Sequence, residues 1–341
     1  MGGTMKRRTG WRLAAAAALL LAASGVRAET QHVKLGFFTN EQEMTWVSVI
    51  KPFVDAVNRD GKDVVQIDAF TNGALGRDLP QQAQLVLDGV ADIAFTVPGY
   101  QPGRYPDNGI LEMPGLARDV HDSSLLFTRL IAKNALRGYE NFYVIGAIGT
   151  PPSYVHSRVK IDSVDDIKSK KIRIANATEG MAFKQLGGVP VLIPITEVAE
   201  GIGRGTIDAV STHLGTLFDF GIDRVTTYHY LLRIGNSPLA ILMNRKKYDA
   251  LSKDAQGIIN KYSGEWFAET YSKGYQAYVD KLLAQLKADP KHHVIEPSKA
   301  EIDKAQALFQ PVYDEWAKKD PHNPELLTLV RAELDGIHAG K

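Results

Sequence analysis

The chain has 341 residues, no cysteine, and 40 basic against 39 acidic side chains, a formal net charge of +1. Such a balance offers no electrostatic footprint for nucleic acid or an anionic membrane surface. Without cysteines, stability must come from core burial, and the length allows two domains.

Residues 1–12 carry Lys6, Arg7, Arg8 and Arg12 and no acid, residues 13–23 read LAAAAALLLAA, and Val26 and Ala28 are small residues at the −3 and −1 positions. That order is the pattern of an export signal cleaved after Ala28, with an apolar run too short to span a membrane, so a periplasmic location is expected. The segment KRRTGWRL fits a twin-arginine signal poorly, which favours ordinary secretion. Cleavage removes five of the 40 bases and none of the 39 acids, leaving a net charge of −4.

The mature chain opens with a short strand, Val33 to Phe37, followed by Met44, Val47, Ile50, Val54 and Val57 at helical spacing, with Pro52 placed to kink or split the helix. A strand at Val64 to Phe70, a Gly-rich turn at Asn72–Gly76, and a helix with Leu79, Ala83, Val86 and Leu87 on one face come next. Gly89 is placed to end that helix, and Asp92 to Phe95 restarts a strand. Strands alternating with helices predict an α/β architecture with mainly parallel sheets.

The segment Leu87-Asp88-Gly89-Val90-Ala91-Asp92-Ile93-Ala94 is echoed at Gly203-Arg204-Gly205-Thr206-Ile207-Asp208-Ala209-Val210. In both, a helix end, a glycine and an aspartate precede a buried strand, which predicts two similar lobes. Phe142–Ile148, Ile172–Ala175, Val189–Ile193 and Ile207–Val210 are assigned as strands of the second lobe. From Ser252 to Leu286 there is no proline, and Ala255, Ile258, Ile259, Tyr262 and Trp266 form a helical stripe. One long helix spanning both lobes is predicted there, with one or two amphipathic helices from Ile302 to Ile337.

Catalytic signatures are missing. The nine histidines form no HExxH or two-His-one-carboxylate spacing, there is no GxSxG elbow, and no cysteine can act as nucleophile. Gly201-Ile202-Gly203-Arg204-Gly205 ends a helix and leads into a strand, the reverse of a dinucleotide-binding turn. No metal and no cofactor are therefore expected, and an enzyme is the less supported class.

The segment Asp165 to Ile174, reading DDIKSKKIRI, resembles the substrate-binding proteins of tripartite ATP-independent periplasmic (TRAP) transporters. The resemblance continues through Gln185-Leu186-Gly187-Gly188-Val189-Pro190, Thr196-Glu197-Val198 and Gly205-Thr206-Ile207-Asp208. Upstream it includes Phe70–Gly76, Asp88–Asp92 and Leu111-Glu112-Met113-Pro114-Gly115-Leu116. It implies a two-lobed periplasmic binding protein fold with lobe I at 29–151 and 239–280 and lobe II at 152–238 and 281–341. It also implies a small organic acid as ligand, TRAP membrane subunits as partners, and closure of the lobes on the ligand; a monomer is expected.

In that family the arginine of the Lys-Ile-Arg strand grips the ligand carboxylate, and Arg173 occupies that position. A planar guanidinium can give two parallel charge-assisted bonds to a carboxylate, which an ammonium cannot. Asn176 matches a further ligand-contacting position. Phe38, Val97 and Thr212 stand where relatives for polyhydroxylated acids carry polar or charged groups, and no arginine stands near Ser153. Tyr100 and Tyr154 could flank a flat ring, whereas Phe37 and Phe218 suit core positions equally well. Thr39, His213 and Asn236 complete the candidate set. The reading is a monocarboxylate with an apolar or aromatic body. A zwitterion, a sugar-type ligand, or a periplasmic enzyme remain as alternatives.

Overall fold

The computed structural model describes residues 1–2 and 29–340, so nearly all of the expected export signal lies outside the described residues. Two sheets organise the chain. The first has the order β2-β1-β3-β10-β4, from β1 (Gln31–Gly36), β2 (Val65–Phe70), β3 (Ile93–Thr96), β4 (Phe142–Gly149) and β10 (Pro238–Asn244). The second has the order β11-β9-β5-β8-β6-β7, from β5 (Tyr154–Ser157), β6 (Lys171–Ile174), β7 (Val189–Leu192), β8 (Ala209–Thr212), β9 (Tyr228–Tyr230) and β11 (His293–Ile295). β1 runs parallel to β2 and β3, as β6 does to β7 and β8. In each sheet one strand reached through a crossing, β10 or β5, pairs antiparallel to its neighbours.

Phe142–Ile148 was expected in the second lobe, but β4 pairs with β10 from Pro238↔Gly149 to Asn244↔Phe142 and so closes the first sheet. Its apolar pattern would suit either sheet; the crossing comes only after it, at residues 150–153. There the outgoing and returning segments are bonded together. Ser153 N–H donates to the Gly235 carbonyl at 2.7 Å, Ile234 N–H to Ser153 at 3.0 Å, and Thr150 N–H to Ser237 at 3.0 Å. The two crossings therefore form one ribbon between the lobes.

The internal echo is physical. Lys34 N–H donates to the Asp92 carboxylate at 2.8 Å while Asp92 N–H donates to the Lys34 carbonyl at 2.9 Å. Lys171 N–H and Asp208 repeat both bonds at 3.0 and 2.8 Å. Each aspartate thus satisfies a backbone donor at the head of a parallel pair that no strand partner reaches. Gly89 and Gly205, both at φ 73°, supply the left-handed residue that ends the preceding helix.

Pro52 divides the first helical segment as expected: a π-turn at Trp46–Ile50 gives way to an α-helix at Lys51–Asp60 with Pro52 in its first turn, where the missing N–H costs no helical bond. The predicted continuous helix from Ser252 to Leu286 is instead two, Lys253–Lys261 and Glu265–Ala288. Gly264, at φ 62°, breaks it, because a left-handed residue stops a helix as effectively as a proline. Glu265–Ala288 packs on β4, the Val120–Ala132 helix and Trp46–Ile50 on one side and on the Leu214–Asp219 helix and β11 on the other, joining elements of both sheets. The Lys299–Lys319 helix packs on Ala177–Gln185, but the Asn323–His338 helix, expected with lobe II, lies against Val120–Ala132, where His338 Nε2 meets Asp122 at 2.9 Å.

Candidate ligand-binding cleft

Eight of the ten candidate residues sit at or just beyond the carboxyl ends of parallel strands, where α/β sheets gather their ligands. Phe38 and Thr39 follow β1, Val97 and Tyr100 follow β3, Arg173 and Asn176 lie at the end of β6, and Thr212 and His213 at the end of β8. Of the other two, Tyr154 begins β5 just after the outgoing crossing and Asn236 lies in the returning one.

Alternation on β6 turns Ile172 and Ile174 into the second core and Arg173 to the opposite face. Arg173 is only 3% exposed. Its Nε donates to the Ile193 carbonyl at 3.0 Å and one terminal nitrogen approaches the Ser211 carbonyl at 3.5 Å. Those contacts fix the guanidinium plane and leave terminal N–H groups uncommitted, and among the described residues Arg173 forms no ion pair.

Asn176 caps the Ala177–Gln185 helix by accepting from Glu179 N–H at 2.8 Å, and the Glu179 carboxylate reaches back to Ala175 N–H at 2.8 Å. This reciprocal cap was legible as Asn-Ala-Thr-Glu, an N-cap with an acid three residues on, but Glu179 was not proposed. Glu179 also accepts from the Ser211 hydroxyl at 3.2 Å and from Ser153, with Arg173 close enough to favour its charge; burial opposes these and holds its pKa above the ordinary carboxylate value.

Glu112 was missed as well. It ends a 3-10 turn, Asn108–Glu112, on the first-lobe side, and its carboxyl meets Thr178 and lies near Glu179. Gly99 draws these pieces together: a methyl group there would stand 2.6 Å from Glu112 Oε1 and 3.8 Å from the Asn176 Cβ. Burial, then the charge of Glu179, pushes the Glu112 pKa up to about 8.

The remaining candidates divide by role. Phe38 stacks on Phe95 at 5.4 Å and 28°, while Phe37 is core. The ring of His213 accepts from Thr216 N–H at 3.3 Å and caps the Leu214–Asp219 helix; burial depresses its pKa to about 3, so it is a neutral cap. Asn236 donates to the Thr150 carbonyl at 2.7 Å, a bond inside the hinge ribbon. Tyr154 sits opposite Thr212 and is bonded by Arg233, a residue of the returning crossing that no reading near Ser153 could have found.

Behind β8 runs a chain of rings. His156 Nε2 lies 3.2 Å from the Thr212 carbonyl, His156 Nδ1 2.8 Å from His229 Nδ1, and His229 Nε2 2.9 Å from His292 Nδ1. The carbonyl can only accept, so the donors of the chain point toward Thr212. Burial lowers His156 to about 3 and His229 to about 2. Asp119, His121 and Asp122 also come within 4.8 Å of one another, but Asp122 is bonded to Arg118 and His338 while Asp119 caps the helix they begin.

The family model described as "Bacterial extracellular solute-binding protein, family 7" matches residues 38–320. The chain is 24% identical over 319 residues to the 2,3-diketo-L-gulonate-binding periplasmic protein YiaO of Escherichia coli K12, covering 88% of this chain and 91% of that one. Two solved structures share its fold. One is a marine metagenome TRAP solute binding protein specific for aromatic acid ligands, co-crystallised with 3-hydroxybenzoate: TM-score 0.81, 22% identity, 91% of this chain and 99% of that one. The other is a TRAP solute binding protein from Rhodoferax ferrireducens T118 with copurified benzoate: TM-score 0.80, 22% identity, 90% and 98%. The chain belongs to family 7 of the bacterial extracellular solute-binding proteins, the binding proteins of TRAP transporters.

Proposed function

We propose that this protein captures a small monocarboxylate with an apolar or aromatic body in the periplasm and hands it to TRAP membrane subunits. The observation that carries this reading is Arg173: a buried, oriented guanidinium at the end of β6 with donors to spare and no acid paired to it among the described residues. Glu179 lies near Arg173 without forming an ion pair with it, so a ligand carboxylate would give the free terminal donors a direct partner. Phe38 and Val97 line the first-lobe side of the proposed cleft with apolar surface, which has no partner for the hydroxyls of a sugar acid or a second carboxylate. The fold neighbours that hold 3-hydroxybenzoate and benzoate support the same class. We take lobe I as 29–151 with 239–280, and lobe II as the second-sheet segment 152–238 with the Lys299–Lys319 helix.

Thermal-shift titration against benzoate, 3-hydroxybenzoate, an aliphatic monocarboxylate, succinate, galacturonate and phenylglycine tests the reading, since a ligand of the native state raises stability by mass action. Shifts confined to benzoate, 3-hydroxybenzoate and the aliphatic monocarboxylate support it. A shift with succinate or galacturonate alone overturns the apolar-body assignment. A zwitterion could set its ammonium against Glu112 and Glu179, and a shift with phenylglycine in place of the simple acids would favour that second reading.

A further inference from the structure

Glu112 and Glu179 bring two carboxyl groups from opposite lobes into one buried junction, 4% and 1% exposed. Their surroundings differ. Glu179 has the Ala175 N–H, the Ser211 and Ser153 hydroxyls and the nearby charge of Arg173. Among the described residues the Glu112 carboxyl meets the Thr178 hydroxyl, and Gly99, the Tyr139 phenol and Glu179 lie close by, with the Gly235 backbone against its own carbonyl. None of these is a cation.

Separating the lobes would return Glu112 to water, because Thr178, Glu179 and Asn176 belong to the helix on the other side. Closing them confronts it with a second acid in a dry environment, where both cannot stay ionised. A second pair of acids, Glu43 after β1 and Asp219 on the Leu214–Asp219 helix, is likewise raised above ordinary carboxylate values, mainly by burial. Glu43 accepts from the Thr45 and Trp46 N–H groups and Asp219 from the Tyr278 hydroxyl, whereas the Glu112 carboxyl meets the Thr178 hydroxyl.

We propose that Glu112 is a proton-operated latch: the cleft closes with its carboxyl protonated and opens when that proton leaves, so that capture of an anion on Arg173 takes up one proton from solvent. The link to capture rests on the binding function proposed above; the coupling of closure to pH does not. In this structure burial, then the charge of Glu179, raises the Glu112 pKa to about 8, and opening the cleft would relieve both causes and return it toward the ordinary carboxylate value. The sign follows: closure is favoured below the open-form pKa and is progressively lost as pH rises through about 8. The closed-to-open ratio falls by about tenfold per pH unit between the two values.

Ligand-free protein tests this without any choice of ligand. Small-angle scattering from pH 5.5 to 9.5 is expected to show a compact form at low pH and an expanded one at high pH. Glu112→Gln, neutral and of the same shape, should lose most of that expansion, leaving only the share that Glu43 and Asp219 contribute. Because the chain has no cysteine, Lys62→Cys and Lys184→Cys, both on exposed positions, allow a spin-label distance between the lobes to be followed in the otherwise unaltered protein. An inter-lobe distance independent of pH, or a Glu112→Gln protein that retains the full transition, overturns the latch. Failure of the carboxylate reading shows separately, as an absence of thermal shifts with every acid in the panel.

Discussion

Replacing Arg173 by alanine removes the donors on which the proposed capture depends. Nε is committed to Ile193, so a ligand carboxylate would be received by the terminal nitrogens, one of which is held only loosely at 3.5 Å from Ser211. Two charge-assisted bonds at about 1.5–3 kcal/mol each amount to about 3–6 kcal/mol. That corresponds to a Kd weakened by about two to four orders of magnitude. Solvent screening does little to reduce the figure, because the side chain is almost fully buried. Arg173→Lys keeps the charge but loses the fork and the Ile193 bond, and should weaken binding by at least about tenfold. Calorimetry with whichever acid gives a thermal shift measures both variants, and a melting curve on each preparation separates lost affinity from lost fold. Less than a tenfold change in both variants would refute the assignment of Arg173 as the carboxylate anchor.

Ser169 occupies a left-handed turn at φ 63°, where its N–H donates to Gly187 at 2.8 Å, a bond that glycine would keep. Relief of about 1–2 kcal/mol of backbone strain, less the about 0.4–1 kcal/mol that glycine's freer unfolded chain costs, predicts that Ser169→Gly is more stable by about 0.5–1 kcal/mol. Denaturant melts check it, and an unchanged or lower midpoint removes strain as the explanation. The histidine chain predicts acid sensitivity. His156 and His229 are held near 3 and 2 in the fold, below the ordinary 6.5, so their stabilising effect is complete above 6.5 and is lost as pH falls toward those values. Each ring contributes a slope of up to about 1.4 kcal/mol per pH unit. His229→Gln should flatten stability between pH 6.5 and 4 by one ring's share, and a parallel profile counts against the buried neutral chain.

Local chemistry made much of this fold legible. Glycines with an obligatory left-handed turn, a proline in a first helical turn and aspartates at strand heads act within a few residues of themselves, so their positions reveal their work. Arg173 was named from the family resemblance of the Lys-Ile-Arg strand, and the structure places it at the end of β6, turned by alternation away from the second core. The sheet membership of β4 was not legible, because its apolar pattern fits either sheet and only pairing with β10, about a hundred residues on, decides it. Glu112 looked like one acid in a turn, and its significance arises from Thr178 and Glu179 in the other lobe. Arg233 reaches Tyr154 through two antiparallel crossings, and His213 and Asn236 spend their polar atoms on a cap and a hinge bond.

The strand order of the first sheet bears on how the protein is made. β10 sits between β3 and β4, yet it leaves the ribosome only after the whole second sheet except β11; the bond from Thr96 to Ala240 bridges 144 residues. Until that strand emerges, β3 is paired to β1 on one side only and nothing links it to β4, so the first sheet has an open gap. Closing so long a loop is entropically costly and slow, since native pairing must wait for distant parts of the chain. Were the chain exported unfolded, as its expected signal predicts, such a delay would favour threading across the membrane, and the strand that completes the first lobe would arrive late in translocation.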